Sequence, residues 1–425
     1  MKIVSAPSGQ VHHPVSNSSR ASARQINWDV LRVLAVFSVL LQHATHAGPY
    51  VHPEIGRPLF TFPLEMGASG LVVLSAYFAC ASLAKGEPVK FLRNRLARLL
   101  PAYFVAAVFT FAVLRWVAPK GWSHLEFHDL VMNLFMLQNW VPDVQLVDFS
   151  YWTLPVQITG FVAGAVLCSR LRGPWLRVAL WGLVFGPLVM RMWTNDPGLV
   201  RTLYDGFGMH RAQLFAIGVG IWLWSKNRLG SGHLAALLVC ALSAQAIHSA
   251  DLESTLGLGV LLLGYCAAAA GPDWNVGPIK LLATPVKWLA SISYGVYLVH
   301  QEVGYVVLAY LARLDLGPVV QLVAFFGTAV LLGWLLTKFV ERPAYLWLTA
   351  ASRGPVLVRV LLAVRLLAPR FVGGVQAQSQ LGNFGLSPVN RAPSWRPVSQ
   401  PTTSDASPLT TAALSAPSVL SSHTR

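Results

Sequence analysis

Charge is what this chain has least of. Only 12% of its 425 residues are Asp, Glu, Lys or Arg, about half the fraction usual in a water-soluble domain, which excludes an ordinary soluble fold. Acidic residues are the scarcer sign, 17 against 32 Lys and Arg, giving a net charge of +15. Cysteine is nearly absent. The four present, Cys80, Cys168, Cys240 and Cys266, fall in apolar stretches without paired spacing, so neither a disulfide framework nor a zinc site is supported. The first 28 residues, rich in Ser, His and Asn, lack the apolar core and small-residue cleavage site of a secretory leader, so the first apolar run reads as a permanent span. No repeat of fixed period is visible, which argues against the repeat-built transporter folds.

What the chain has in abundance is apolar sequence. Long stretches occur at 30–47, 67–84, 102–118, 153–169, 175–192, 212–225, 233–249, 254–270, 288–312 and 318–340, most of them near the ~20 residues that cross ~30 Å of hydrocarbon. The expectation is an all-α, polytopic membrane bundle of about ten transmembrane helices, with both termini cytoplasmic and the chain in the plasma (inner) membrane. That topology puts 25 of the 32 Lys and Arg on the inner side and 7 on the outer, the positive-inside asymmetry. Counting 127–141 as a further span would leave only 13 of 32 inside, so this stretch reads as an interfacial or re-entrant element on the outer face. The expected organisation is a disordered arm at 1–28, a transmembrane domain at 29–348, a basic juxtamembrane segment at 349–370 and a disordered tail at 371–425. The basic surplus then describes orientation in a lipid bilayer, and no nucleic-acid partner is expected.

Ionisable residues inside spans are costly and mark candidate chemistry. The first span holds Asp29, Arg32, His43 and His46. Arg32 and His43 are eleven residues apart, about three turns plus 20°, so they share a helix face with the imidazole about 16 Å deeper. A neutral imidazole is a natural general base at physiological pH; a hydrogen bond that merely ties two helices is the plain alternative. Between spans two and three, Arg95 and Arg98 share a face at i, i+3, and guanidinium forks suit phosphate, whereas simple anchoring would need no particular spacing. Glu302 lies two residues from His300 and points elsewhere. Gly160 and Gly164 suit close helix packing. His124 and His128 are spaced i, i+4 but lack a clear third ligand, so no metal site is expected. Trp116, Trp122, Trp140, Tyr151 and Trp152 read as an interface belt, a subset of which could stack on a sugar.

Several pieces in order resemble the acyltransferase 3 family of integral-membrane O-acyltransferases, over roughly 26–348. They are Asn27-Trp28-Asp29-Val30-Leu31-Arg32 followed by His43; Gly67 through Tyr77; Arg95-Leu-Ala-Arg98-Leu-Leu-Pro101; Tyr151-Trp152-Thr153-Leu154; Ile292 through His300; and Phe339-Val340-Glu341-Arg342-Pro343. The resemblance implies transfer of an acetyl or other short acyl group from acyl-CoA, a co-substrate rather than a bound cofactor, to a hydroxyl of a carbohydrate or glycosylated metabolite. It gives His43 the central role, as base or as acyl carrier, and Arg32, Arg95 and Arg98 the donor's phosphates. Asp29, Trp152, Gln157, Tyr294, His300 and Glu341 are supporting residues, Asp29 either orienting Arg32 or capping the first helix. Two positions depart from the family pattern. Gln157 replaces a glutamate and cannot take a proton, and Ala76 stands where relatives often have glycine. A non-catalytic transporter of a glycan or small metabolite is the alternative, since transporters also place ionisable residues at mid-depth.

Overall fold

The computed structural model describes residues 25–350 apart from 123, 142, 169–172 and 196–197. Residues 1–24 of the expected arm, 351–370 of the basic segment, the tail, and Arg170 and Arg172 lie outside the described residues.

The described residues form helices and connecting turns, with no strand among them. In chain order the helices are α1 (Ile26–Gln42), α2 (Gly48–Val51), α3 (Met66–Leu83), α4 (Pro88–Trp116), α5 (Phe127–Leu134), α6 (Thr153–Leu167), α7 (Pro174–Arg191), α8 (Leu199–Gly206) and α9 (Ala212–Ser225). They continue with α10 (Ser231–Ser249), α11 (Leu252–Ala270), α12 (Gly277–Leu281), α13 (Ala283–Val299), α14 (Gln301–Arg313), α15 (Pro318–Leu336) and α16 (Arg342–Ala350). Each of the ten apolar stretches is mostly helical over its described residues. Six helical segments are long and apolar enough to cross a membrane: Ile26–Val51, Met66–Leu83, Pro88–Trp116, Ser231–Ser249, Leu252–Ala270 and Pro318–Ala350. The other four fall short for visible reasons. α6 and α9 have 15 and 14 residues, α7 carries Arg177 and Arg191, and α13 and α14 divide at His300. The eight residues of α5 rise only about 12 Å and cannot cross.

Burial follows a membrane pattern. α15 buries only Phe325, Ala329, Gly333 and Leu336, one stripe at helical spacing, while Val319, Val320, Val323 and Leu331 stay exposed and apolar. Water would not tolerate such a surface; lipid does. Inside the bundle small residues bring backbones together. A Cβ on Gly218 of α9 would stand 2.4 Å from the Val73 carbonyl oxygen of α3, and one on Gly333 of α15 would stand 2.4 Å from the backbone nitrogen of Val296 on α13. Gly160 is closed by Phe215 in the same way, at 2.2 Å.

Three local features set the site. The start of α1 is clamped by the 272–274 turn: Ile26 N–H donates to Asp273 Oδ1 at 3.0 Å, Asn27 Nδ2 to the Pro272 carbonyl at 2.9 Å, and Trp274 N–H to Asn27 Oδ1 at 2.7 Å. Asp273 thus takes the first N–H, and Asp29 sits buried within the first turn. Secondly, α4 begins at Pro88, a residue that favours the first helical position, so Arg95 and Arg98 stand on the helix itself rather than in a loop before it. Thirdly, two π-helical segments interrupt the α-geometry, at His43–Ala47 after α1 and at Thr337–Glu341 after α15.

Candidate active site

A cavity of about 1060 Å³ opens at the end of the bundle where α1 begins. Its five cations come from four places in the chain: Arg32 on α1, Arg95 and Arg98 on α4, Lys226 after α9 and Arg342 on α16. Helices far apart in the chain thus deliver their charges to one mouth. Arg98 is fixed by Glu341, its Nε donating to Oε1 at 3.0 Å, and Glu341 is itself held by the Thr337 hydroxyl at 3.2 Å. Arg95 lies between the rings of Phe91 and Phe161, 5.6 and 5.3 Å from their centroids, close enough to Arg32 and Arg98 for the three charges to repel. Mutual repulsion of clustered guanidiniums is relieved by an anion, and phosphate matches their fork geometry. Aromatic side chains line the same mouth: Trp28, Tyr77 and Phe78, with Trp28 and Tyr77 ring centroids 4.4 Å apart.

Deeper in, the wall carries Gln157, Tyr294 and Tyr297. Gln157 Oε1 accepts from the Ser75 hydroxyl at 2.8 Å, and the Tyr294 hydroxyl donates to the Leu99 carbonyl at 2.9 Å. On α1 the lining ends at Val36, which shares a helix face with His43 and precedes it by seven residues, or about 10 Å.

Beyond that point two histidines meet. The rings of His43 and His300 stand edge to face with centroids 4.9 Å apart. His300 is fully buried, and its Nδ1 lies 2.8 Å from the Tyr297 carbonyl oxygen. A carbonyl only accepts, so Nδ1 carries the hydrogen and Nε2 presents a lone pair, which has no hydrogen-bond partner among the described residues. His43 is half-buried, with Nδ1 2.8 Å from the Tyr305 hydroxyl. Tyr305 has room only because residue 48 is glycine, where a Cβ would fall 2.8 Å from its ring. The ring of His52 packs beside Tyr305 at 5.8 Å and stacks on Trp122 at 3.7 Å, closing this side.

Of the residues singled out from the sequence, the structure brings Asp29, Arg32, Arg95, Arg98, Gln157, Tyr294 and Glu341 to one cavity, and His43 and His300 to one another. Trp152 lies apart, under the guanidinium of Arg211 at 4.6 Å. The Glu302 carboxylate accepts from Gln301 Nε2 at 3.3 Å and lies within electrostatic range of Asp148 and Tyr305. Sequence reading missed Tyr305, Tyr297, Lys226 and Arg342 as site residues. A tyrosine in an apolar run resembles any core aromatic, and the two cations resemble anchoring charges.

An imidazole pair packed beyond an arginine-mouthed cavity in a membrane bundle suits a membrane-embedded group-transfer enzyme. The chain belongs to the acyltransferase 3 family, whose acyltransferase-domain model matches residues 25–338, and it is a membrane acyltransferase. It is similar to BcsY of Komagataeibacter xylinus, described as a membrane-bound transacylase, at 24% identity over 321 residues, 68% of this chain and 75% of that protein. No solved structure matches it.

Proposed function

We propose that the enzyme moves an acetyl or other short acyl group from acyl-CoA to a hydroxyl of a carbohydrate or glycosylated metabolite. The observation that carries this reading is the cavity that joins five cationic side chains at its mouth to a wall ending about two turns short of His43. Its volume, about 1060 Å³, suits a cofactor-sized ligand. The donor's phosphates sit on Arg32, Arg95 and Arg98, and the pantetheine arm carries the thioester toward His43. His43 takes the proton of the acceptor hydroxyl as its oxygen attacks the thioester carbonyl. The carbon–sulfur bond breaks, and the departing thiolate takes the proton back from the imidazolium to leave CoA thiol. Tyr305 orients the His43 ring, completing a base with its orienter. The chain crosses the plasma membrane ten times with both termini inside, so the donor enters from the cytoplasm.

The test is release of free thiol from acetyl-CoA by the purified protein in detergent, alone and with hydroxylated acceptors. Wild type turns over; His43→Ala loses at least ~100-fold, the usual contribution of a general base, while keeping the wild-type melting profile. Unchanged turnover in His43→Ala would remove the base, and no thiol release from wild type with any acyl-CoA would remove the donor.

A further inference from the structure

At the end of the bundle opposite the arginine mouth lies a second cluster of cations that the acyl-transfer reading leaves unused. Its centre is Arg211, which immediately precedes α9; Lys226, which immediately follows that helix, lines the donor cavity. Fourteen residues of helix separate the two by about 21 Å. The Arg211 guanidinium lies over the Trp152 ring at 4.6 Å, and the residue is partly exposed.

Two buried side-chain nitrogens here, Arg211 Nε and His248 Nε2, have no hydrogen-bond partner among the described residues. His248 Nδ1 lies 2.9 Å from the Tyr204 hydroxyl; when that hydroxyl donates, Nε2 carries the hydrogen. Arg191 and His210 stand within electrostatic range of His248 and Arg211, so four cationic or cation-forming side chains share the place. No carboxylate among the described residues makes an ion pair with Arg211. Asp205 pairs with Arg201 at 3.7 Å, and Glu65, which acts on Arg211 only at a distance, is exposed and accepts from Gln42 Nε2 at 3.4 Å. A partly buried guanidinium without an ion pair is costly, and Arg191, Arg201 and Arg211 are three of only seven basic residues assigned to this side from the sequence.

The position favours a substrate role over a surface one. Trp152 directly precedes Thr153, which lines the donor cavity, and Tyr297 both lines that cavity and lies within electrostatic range of Arg211. Tyr297 also holds His300 through its carbonyl. A ligand on Arg211 therefore approaches the histidine pair from the side opposite the donor.

We infer that Arg211, over Trp152 and beside His248, forms a subsite for an anionic group, carboxylate or phosphate, borne by the hydroxylated acceptor. That the anion belongs to the acceptor rests on the transfer reaction proposed above; that the cluster binds an anion does not. The probe is phenylglyoxal, which modifies arginine, with the Arg211 peptide followed by mass spectrometry on wild-type protein in detergent. Glucuronate and glucose 6-phosphate should each slow modification of Arg211 at least several-fold, and glucose should not; which of the two protects better names carboxylate or phosphate. Equal rates with and without both anions, or equal protection by glucose, would overturn the subsite. So would full protection by a phospholipid nanodisc alone, which would give the guanidinium to a lipid headgroup. Because modification is read without turnover, a failed acyl-CoA assay leaves this test standing, and protection by anions in an inactive protein would sink only the transfer reaction.

Discussion

Gly48 shows how much of the site depends on one missing methyl group. Its absent Cβ is the space that the Tyr305 ring occupies, and the Tyr305 hydroxyl is what holds His43 Nδ1 at 2.8 Å. Gly48→Ala should cost about 1–3 kcal/mol in stability, the usual cost of overpacking. It should also lower kcat by displacing Tyr305. Tyr305→Phe keeps the ring and removes only the hydroxyl, so it should lower kcat with little change in the apparent melting temperature; the two variants compared by thiol release and thermal melting separate packing from orientation. At His210 the sign of a pH effect can be worked out. Burial and the Arg211 charge push this imidazole down to about 4, below the ~6.5 of an unfolded histidine. The unfolded chain therefore takes up the proton first as pH falls, and stability present above about 6.5 is lost between there and 4, at up to ~1.4 kcal/mol per pH unit. Melting temperature should fall through that window in wild type and fall less steeply in His210→Gln.

Among the elements, the two π-segments do parallel work. One carries His43 and the other ends on Glu341, so the proposed base and the partner of Arg98 both stand on turns wider than an α-helix. Such turns recur at functional sites because they re-aim a side chain without ending the helix. Glu341→Gln should loosen Arg98 and raise the apparent KM for acyl-CoA roughly tenfold, equivalent to ~1.4 kcal/mol, while kcat at saturation changes little; a fall in kcat at unchanged KM would contradict the positioning role. These elements also mark where sequence reading stopped. Periodicity placed Arg32 and His43 on one face because α1 is regular as far as Gln42. It misplaced the start of α4, since the residues from Pro88 to Arg98 are helical but too charged to read as a span. Tyr305 could not be found that way: its role depends on a contact 262 residues away in sequence, and no spacing rule reports such a contact.

For the whole molecule, the outstanding quantity is direction across the membrane. Arg32, Arg95, Arg98, Lys226 and Arg342 share one cavity mouth, which agrees with their common assignment to the inner side by charge counting. With the four native cysteines replaced, Arg57→Cys should react with a membrane-impermeant maleimide in intact cells, and Lys226→Cys only after permeabilisation. The reverse pattern would invert the bundle and send the donor to the other face. Insertion and chemistry also make different demands on the first span. Its π-turn holds one residue more than a regular helix needs, so loss of one residue between 43 and 47 would close the turn to α-geometry, leaving the length of the span nearly unchanged while re-aiming the side chains within the turn. At the level of the gene, a single codon there divides membrane insertion, which depends on apolar length, from catalysis, which depends on angle.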